Sequence, residues 1–147
     1  MDKNITSANA IYMLGVAGLF TAPFQLQKFS ADNIFTTDTI QSAEAVMGVD
    51  GWFTAGFVYV PIPQSIELMA DSESAAVFDQ WWQANKKGTT VFWAQATIQL
   101  PSIQTQYTMS RGTLTGYAPI SDASKTLRAR RFGITWGDMS ASPLAPL

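Results

Sequence analysis

Any catalytic chemistry in this chain would have to rest on its carboxylates, because the sequence contains no histidine and no cysteine. Those absences remove the commonest zinc ligands, the base of a catalytic triad and the cysteine nucleophile. Asp71 and Glu73 lie close together, but at the start of a predicted helix they are typical of a cap and a dipole partner. Residues 48–51 lack the lysine or serine of a phosphate-binding loop. The sequence therefore predicts that the protein is not an enzyme and has no cofactor and no metal site.

Binding is the next chemistry that these residue types could support. Aromatic platforms for a sugar could come from Trp52, Phe53, Tyr59, Trp93 and Tyr107, with hydrogen bonds from nearby Gln, Thr and Asn. The alternative interpretation is that aromatic residues in alternating strands belong to the core. A net charge of −2 argues against a dedicated nucleic-acid-binding protein, which would show a basic stripe. A sugar-binding β module is thus one alternative, and stable nucleic-acid binding is not expected.

The clearest element that could position such residues is a helix predicted over about residues 72–87. Large apolar side chains recur at spacings that gather them on one side of this helix, namely Val77, Phe78, Trp81 and Trp82. The segments on both sides alternate like strands, so a β-sheet is the simplest surface to receive this face. These four residues form the predicted contact between helix and sheet.

A second positioning element is an extended hairpin predicted over about residues 38–56. Its Asp-Gly pair at positions 50 and 51 is a strong signal for a tight turn. Trp52 and Phe53 then lie near the tip, where exposed aromatic side chains suggest a partner. The alternative is that both fold back onto the core. The predicted contact with another copy of the chain comprises Asp50, Gly51, Trp52 and Phe53.

The remaining segments predict a mainly β fold. Seven or so strands and one flanking helix indicate an antiparallel β-sandwich or part-open barrel. With 147 residues, we expect a single domain over residues 1–137, a flexible arm at residues 1–7 and a loose C-terminal tail at residues 138–147. The apolar run at residues 10–20 is too short to span a bilayer, and no membrane insertion is expected.

Five segments carry a family resemblance. They are NITSANAIYMLGV near the start, FSADNIFTTDTIQSAEAVMGVDG, PIPQSIELMADSESAAVFDQWW, TIQLPSIQTQYTMSRGTLTGY and the closing RRFGITWG. In their order along residues 4–137, these segments resemble the inner tail tube proteins of long-tailed bacteriophages. The resemblance implies hexameric rings that stack into a hollow tube, through which DNA passes into the host during ejection.

The resemblance also implies where the protein acts and what it meets. Residues 38–56 occupy the place of a hairpin that reaches the adjacent ring. The expected partners are copies of the chain itself, a tape-measure protein, a tail terminator, a baseplate hub and, in a contractile tail, a sheath. Contact with DNA would be transient and non-specific, and the expected location is the virion, after assembly in the host cytoplasm. Rival interpretations are a fibre or baseplate component and a secretion-system tube subunit with the same fold.

Overall fold

The computed structural model describes residues 10–20, 22–27, 29, 34–88, 91–123 and 125–144. This part of the chain contains ten strands and one helix. In chain order they are β1 (Ile11–Val16), β2 (Phe24–Gln25), β3 (Phe35–Thr37), β4 (Ala43–Met47), β5 (Phe53–Phe57), β6 (Ile62–Leu68), α1 (Ser74–Gly88), β7 (Ala94–Leu100), β8 (Thr105–Tyr117), β9 (Arg130–Trp136) and β10 (Asp138–Pro143). The predicted flexible arm at residues 1–7 lies outside the described residues.

Eight of these strands form one antiparallel sheet that folds into two layers. Sheet A consists of β2, β1, β7, the first part of β8, and β10, whereas sheet B consists of the second part of β8, β9, β6 and β3. The strand order begins at β2 and ends at β3, so the sheet is not closed into a barrel. The predicted antiparallel β-sandwich with one helix is confirmed, and β4 and β5 form the extended hairpin.

The hydrophobic core lies between sheet A and sheet B. Inward positions alternate along each strand, as in β1, where Tyr12, Leu14 and Val16 are buried and the residues between them are only half-buried. The large inward side chains of the other strands include Ile98 and Met109 from sheet A and Ile66, Phe132, Ile134 and Trp136 from sheet B. The two-residue period in the sequence therefore sets which face of each sheet is covered.

Strand β8 belongs to both sheets and changes sheet at Arg111 and Gly112. The pairing register between β7 and β8 shifts between Ala94 and Ala96, and Arg111 adopts a left-handed φ of 55°. An extra residue of this kind bends a strand. A Cβ atom at position 112 would lie 2.3 Å from the ring of Trp136, so only glycine fits at the bend without displacing that ring.

Helix α1 begins at Ser74 and ends at Gly88, close to the predicted bounds of 72–87. The backbone N–H of Ser74 donates to Oγ of Ser72 at 3.2 Å, which satisfies one free amide of the first turn. The Ser72 hydroxyl in turn donates to the carbonyl of Gln27 at 2.6 Å. The start of the helix is thereby tied to the segment that follows β2.

The C-terminal segment departs from the sequence-based prediction. A loose tail was expected from residue 138, but Asp138–Pro143 forms strand β10 and pairs with β8 over six residues. The prediction is wrong there because β10 follows β9 directly across Gly137, whose N–H donates to the carbonyls of Ser110 and Arg111. Pairing with a long strand already in place stabilises a segment whose own sequence has no alternation. The residues beyond 144 lie outside the described part.

Candidate assembly surfaces

The hairpin of β4 and β5, with its connecting residues 48–52, forms a two-stranded ribbon that makes no sheet with the rest of the described chain. At its turn the N–H of Gly48 donates to the carbonyl of Trp52 at 2.7 Å, and the N–H of Trp52 donates to Oδ1 of Asp50 at 3.2 Å. Gly51 has a φ of 90°, a conformation that favours glycine. The predicted tight turn at positions 50 and 51 is therefore present.

One face of the ribbon is apolar throughout. Residues that pair directly across two antiparallel strands lie on the same face, and three such pairs join Ala43 to Phe57, Ala45 to Ala55, and Met47 to Phe53. The other face carries Glu44, Val46, Thr54 and Gly56. Met47, Phe53 and Phe57 are 63%, 62% and 72% exposed, respectively. An isolated two-stranded ribbon is at best marginally stable in water. Its exposed apolar face is therefore a candidate surface for contact with a partner that would cover it.

The predicted contact residues at the ribbon tip come together in the structure. Trp52 is 75% exposed and Phe53 stands beside it at the start of β5. The alternative in which these two side chains fold back onto the core is wrong. The role of Asp50, Gly51, Trp52 and Phe53 in contact between copies stays a prediction.

The outer face of sheet A is a second distinctive surface, because it is hydrophilic and almost uncharged. The register aligns one row of outward residues across five strands: Gln25, Met13, Thr97, Thr108 and Ser140. A neighbouring row contains Ile11, Gln99, Gln106 and Ser142. Strands β1, β2, β7, β8 and β10 together contain only two charged residues, Arg111 and Asp138. Amide and hydroxyl groups thus supply nearly all the polarity of this face.

Arg111 lies at the bend of β8, on the same outer face. Its guanidinium lies over the ring of Trp93, 5.1 Å from the ring centroid. Within the described residues, no carboxylate forms an ion pair with Arg111. The contact between Arg111 and Trp93 could not be predicted from local sequence, because Trp93 precedes β7 and the contact depends on the register of β7 on β8.

The predicted helix-to-sheet residues divide into two settings. Phe78 and Trp81 are fully buried. The Phe78 ring stacks on Phe132 of β9, with centroids 4.4 Å apart and an interplanar angle of 10°. The Trp81 indole N–H donates to the carbonyl of Phe92 at 3.1 Å. These two side chains hold α1 against the sandwich.

The other two predicted residues lie at the flank of this contact. Val77 and Trp82 are only half-buried. The Trp82 ring stacks on Tyr117 at the end of β8, with centroids 4.9 Å apart. The Lys86 ammonium also lies over the Trp82 ring, 4.9 Å from its centroid. Trp82 therefore packs on an aromatic ring at the sheet margin and does not enter the core.

A polar cluster missed by the sequence analysis fixes the same helix to the sheet. Arg130 of β9 donates from Nη2 to Oδ1 of Asp79 on α1 at 2.7 Å, and the Tyr117 hydroxyl donates to the same carboxylate. Arg130 also donates to the carbonyl of Ala118 from Nε and Nη2. The hydrogen bond from Arg130 holds the pKa of Asp79 below its usual value, although partial burial opposes it. Burial and Asp79 raise the pKa of Tyr117.

We expect Asp79→Asn to remove an acid-sensitive part of the stability. Because the pKa of Asp79 is lowered in the folded protein, its carboxylate adds stability that is complete above the ordinary value of 3.8 and is lost as pH falls through the folded pKa. The Asp79 side chain is 41% exposed, so solvent screening keeps the effect small. Melting temperatures between about pH 5 and about pH 2 should fall more steeply for the unmodified protein. Asp122→Asn, at an exposed loop position, is the control, and identical pH profiles for the unmodified protein and Asp79→Asn would contradict the assignment.

Potential metal ligands and apolar helices are two further features of the described part of the chain. No group of three or more potential metal ligands occurs there. The only described helix, α1, is too short and too polar to cross a membrane.

Comparison with known proteins defines the family. The family described as tail fiber protein gp32 matches residues 3–140, nearly the whole chain. The chain belongs to this family. It is therefore a structural protein of the phage-tail class. No curated protein matches the sequence.

Solved structures share the fold of this gp32-family chain at low sequence identity. A chain of the anti-feeding prophage baseplate, determined by cryo-EM, has a TM-score of 0.61 at 16% identity, covering 99% of this chain and 100% of that one. A chain of the tube-terminating cap of the same prophage has a TM-score of 0.63 at 9% identity, covering 97% of this chain and 93% of that one. A third match is the sheath/tube terminator of an extracellular contractile injection system, PVC, in its extended state. Its TM-score is 0.64 at 10% identity, covering 97% of this chain and 99% of that one. At such identities the likeness concerns the fold.

Proposed function

We propose that this gp32-family chain is the subunit of a phage tail tube, in which hexameric rings stack into a hollow conduit for DNA. The observation that carries the proposal is the outer face of sheet A, a broad hydrophilic surface with almost no charge. Proteins bind phosphates mainly through Lys and Arg, so a polyanion would pass such a lining without being held. The protein would then act through its shape alone and catalyse no reaction.

The margins of sheet A support assembly from many copies. Within the described residues, β2 and β10 each pair with a strand on one side only. Unpaired strand margins are liabilities that proteins usually cover. Strand pairing between neighbouring copies would cover them and extend sheet A into a continuous wall around a channel.

A charged lining should convert the channel into a DNA-binding surface. Thr108 is exposed in the outer row of sheet A and pairs with Thr97 and Ser140. We expect Thr108→Lys subunits to assemble normally and their tubes to retain a short DNA oligonucleotide. Affinity should fall by about 10³-fold or more between about 50 and about 200 mM salt, as for a protein that makes several phosphate contacts. Tubes of the unmodified protein, in which the strands of sheet A carry only Arg111 and Asp138 as charged residues, should retain far less.

A matched variant tests the location of the charge. Thr36 is exposed on the outer side of β3 in sheet B, which the proposal places away from the channel. DNA held by Thr108→Lys tubes should resist nuclease digestion, whereas DNA held by Thr36→Lys tubes should be digested. Equal protection in the two variants would show that the outer face of sheet A does not line a channel.

Contact between rings is assigned to the ribbon. We expect Trp52→Ala combined with Phe53→Ala to change the free energy of unfolding by no more than about 0.5 kcal/mol, because both side chains are exposed. Electron micrographs should then show single rings or short stacks in place of long tubes. The double variant Ile120→Ala and Leu127→Ala removes two other exposed apolar side chains and serves as the control. Tubes of normal length from the ribbon variant would refute the assignment.

The partners of the tube follow from its place in the tail. We infer contacts with a tape-measure protein, a tail terminator, a baseplate hub and, in a contractile tail, a sheath, within a virion assembled in the host cytoplasm. A baseplate or terminator ring is the second candidate function, favoured by the likeness to the baseplate, cap and terminator chains. Micrographs separate the two, because a terminator or baseplate subunit would form single rings that do not elongate. A sugar-binding module would remain a monomer with affinity for glycans.

A further inference from the structure

An open cleft with a volume of about 360 Å³ lies between sheet A and sheet B. Five apolar or aromatic side chains line it: Phe35 of β3, Ile98 and Leu100 of β7, Tyr107 of β8 and Met139 of β10. All except Ile98 are only half-buried, so the cleft is a part of the core that opens to solvent. No charged side chain of the described residues lines it.

Two polar residues of the cleft, Gln64 and Thr37, are already hydrogen-bonded within the protein. Oε1 of Gln64 accepts from the Tyr12 hydroxyl at 2.6 Å and from the Trp136 indole at 3.1 Å. Nε2 of Gln64 donates to the Thr37 hydroxyl at 3.1 Å. A charged or strongly polar occupant would find few partners there and would lose its hydration. The chemistry of the cleft therefore fits an apolar, uncharged segment.

We propose that this cleft receives the apolar face of the ribbon from a second copy of the chain. The inference deepens the proposed function and rests on it. The ribbon face (Ala43, Ala45, Met47, Phe53, Ala55 and Phe57) is uncharged and exposed, so the cleft of its own copy does not cover it. Glu44 lies on the opposite face and Asp50 at the turn, where both charges would stay in water.

The proposed contact joins two different surfaces, the ribbon of one copy and the cleft of the next. β3 lines the cleft and ends at Thr37, and the ribbon begins at Ala43. A five-residue strand extends about 17 Å, so the tip lies well beyond the ribbon base. A ribbon that enters the cleft of the next copy makes a heterologous contact, which generates the open stack of the proposed tube when the rotation between copies does not close.

The apolar face of the ribbon supplies part of the area that a specific contact needs. Because Phe53 and Phe57 are 62% and 72% exposed, their burial would remove about 200–340 Å² from water, and Met47 and the row of alanines would add to this. A standard interface buries roughly 800 Å² on each partner. The ribbon and cleft thus supply a large share of the contact between successive copies, and the remaining area comes from the surfaces around them.

Disulfide formation between introduced cysteines tests the inference directly, because the chain has no cysteine of its own. Phe53→Cys and Met139→Cys subunits are mixed, assembled and oxidised. We expect a cross-linked dimer that requires both variants and appears only in assembled material. A mixture of Phe53→Cys with Ile120→Cys, whose loop side chain is also exposed, is the control and should give none.

Hydrogen–deuterium exchange on the unmodified protein provides a second measurement that does not depend on a variant. On assembly, amides of the ribbon and of the cleft strands should become protected together. Assembly that protects the ribbon but leaves the cleft unchanged, with no Phe53–Met139 cross-link, overturns this inference while the tube proposal stands. A protein that forms neither rings nor tubes at high concentration overturns the proposed function itself.

Discussion

Trp81→Ala is expected to lower the free energy of unfolding by about 3–5 kcal/mol, the range for removal of a buried aromatic side chain. Trp81 is fully buried where α1 meets the sandwich, and its indole N–H is bonded to the carbonyl of Phe92. The substitution leaves a cavity beside Phe78 and an unpaired carbonyl. Urea unfolding of the unassembled subunit measures the change.

Trp52→Ala is the matched control for this prediction. It removes the same side chain type from an exposed position on the ribbon. Its effect on the free energy of unfolding should stay within about 0.5 kcal/mol. Similar losses from the two tryptophans would mean that α1 is not held to the sandwich by Trp81.

Gly112→Ala is the second substitution with a large expected effect. The added methyl group would lie 2.3–3.0 Å from three ring carbons of Trp136, a fully buried side chain with little room to move. We expect a loss of about 3 kcal/mol, at the upper end of the range for overpacking. Displacement of the ring also threatens the hydrogen bond from Trp136 to Gln64.

A glycine on the ribbon provides the comparison. An added Cβ at Gly56 would meet no atom within 4 Å. Gly56→Ala should therefore be neutral or slightly stabilising, because it reduces the conformational freedom of the unfolded chain. Far-ultraviolet circular dichroism should show native secondary structure in both variants at low urea concentration. Equal urea midpoints for the two variants would contradict the role assigned to Gly112.

Local patterns predicted the elements that depend on neighbours in sequence. The spacing of Phe78 and Trp81 predicted the helix and its buried face, and the Asp-Gly pair at positions 50 and 51 predicted the turn of the ribbon. The structure confirms both. The alternation in the sequence of β7 and β9 agrees with their alternating burial in the two sheets. These signals suffice because helix and strand periods are properties of a few consecutive residues.

Features that depend on distant residues could not be predicted in the same way. Asp79 and Arg130 are hydrogen-bonded although they are 51 positions apart in sequence, and no local spacing predicts such a pair. The predicted contact of Trp82 with the sheet is made to Tyr117 at the sheet margin, a partner that is far away in sequence. Strand β10 lacks any period of its own and exists because β8 is long enough to pair with it.

The strand pairings also set the order in which the molecule can fold. Met13 of β1 pairs with Thr97 of β7, and Gln64 of β6 pairs with Ile134 of β9. Because these partners are far apart in sequence, we expect the sandwich to form slowly, over milliseconds to seconds. The ribbon joins residues only a few positions apart and can form within about 1–10 μs. Newly made chains would therefore expose the apolar face of the ribbon before the sandwich has folded. In the assembly proposed above, aggregation of new chains through the ribbon would compete with their addition to the end of a growing tube.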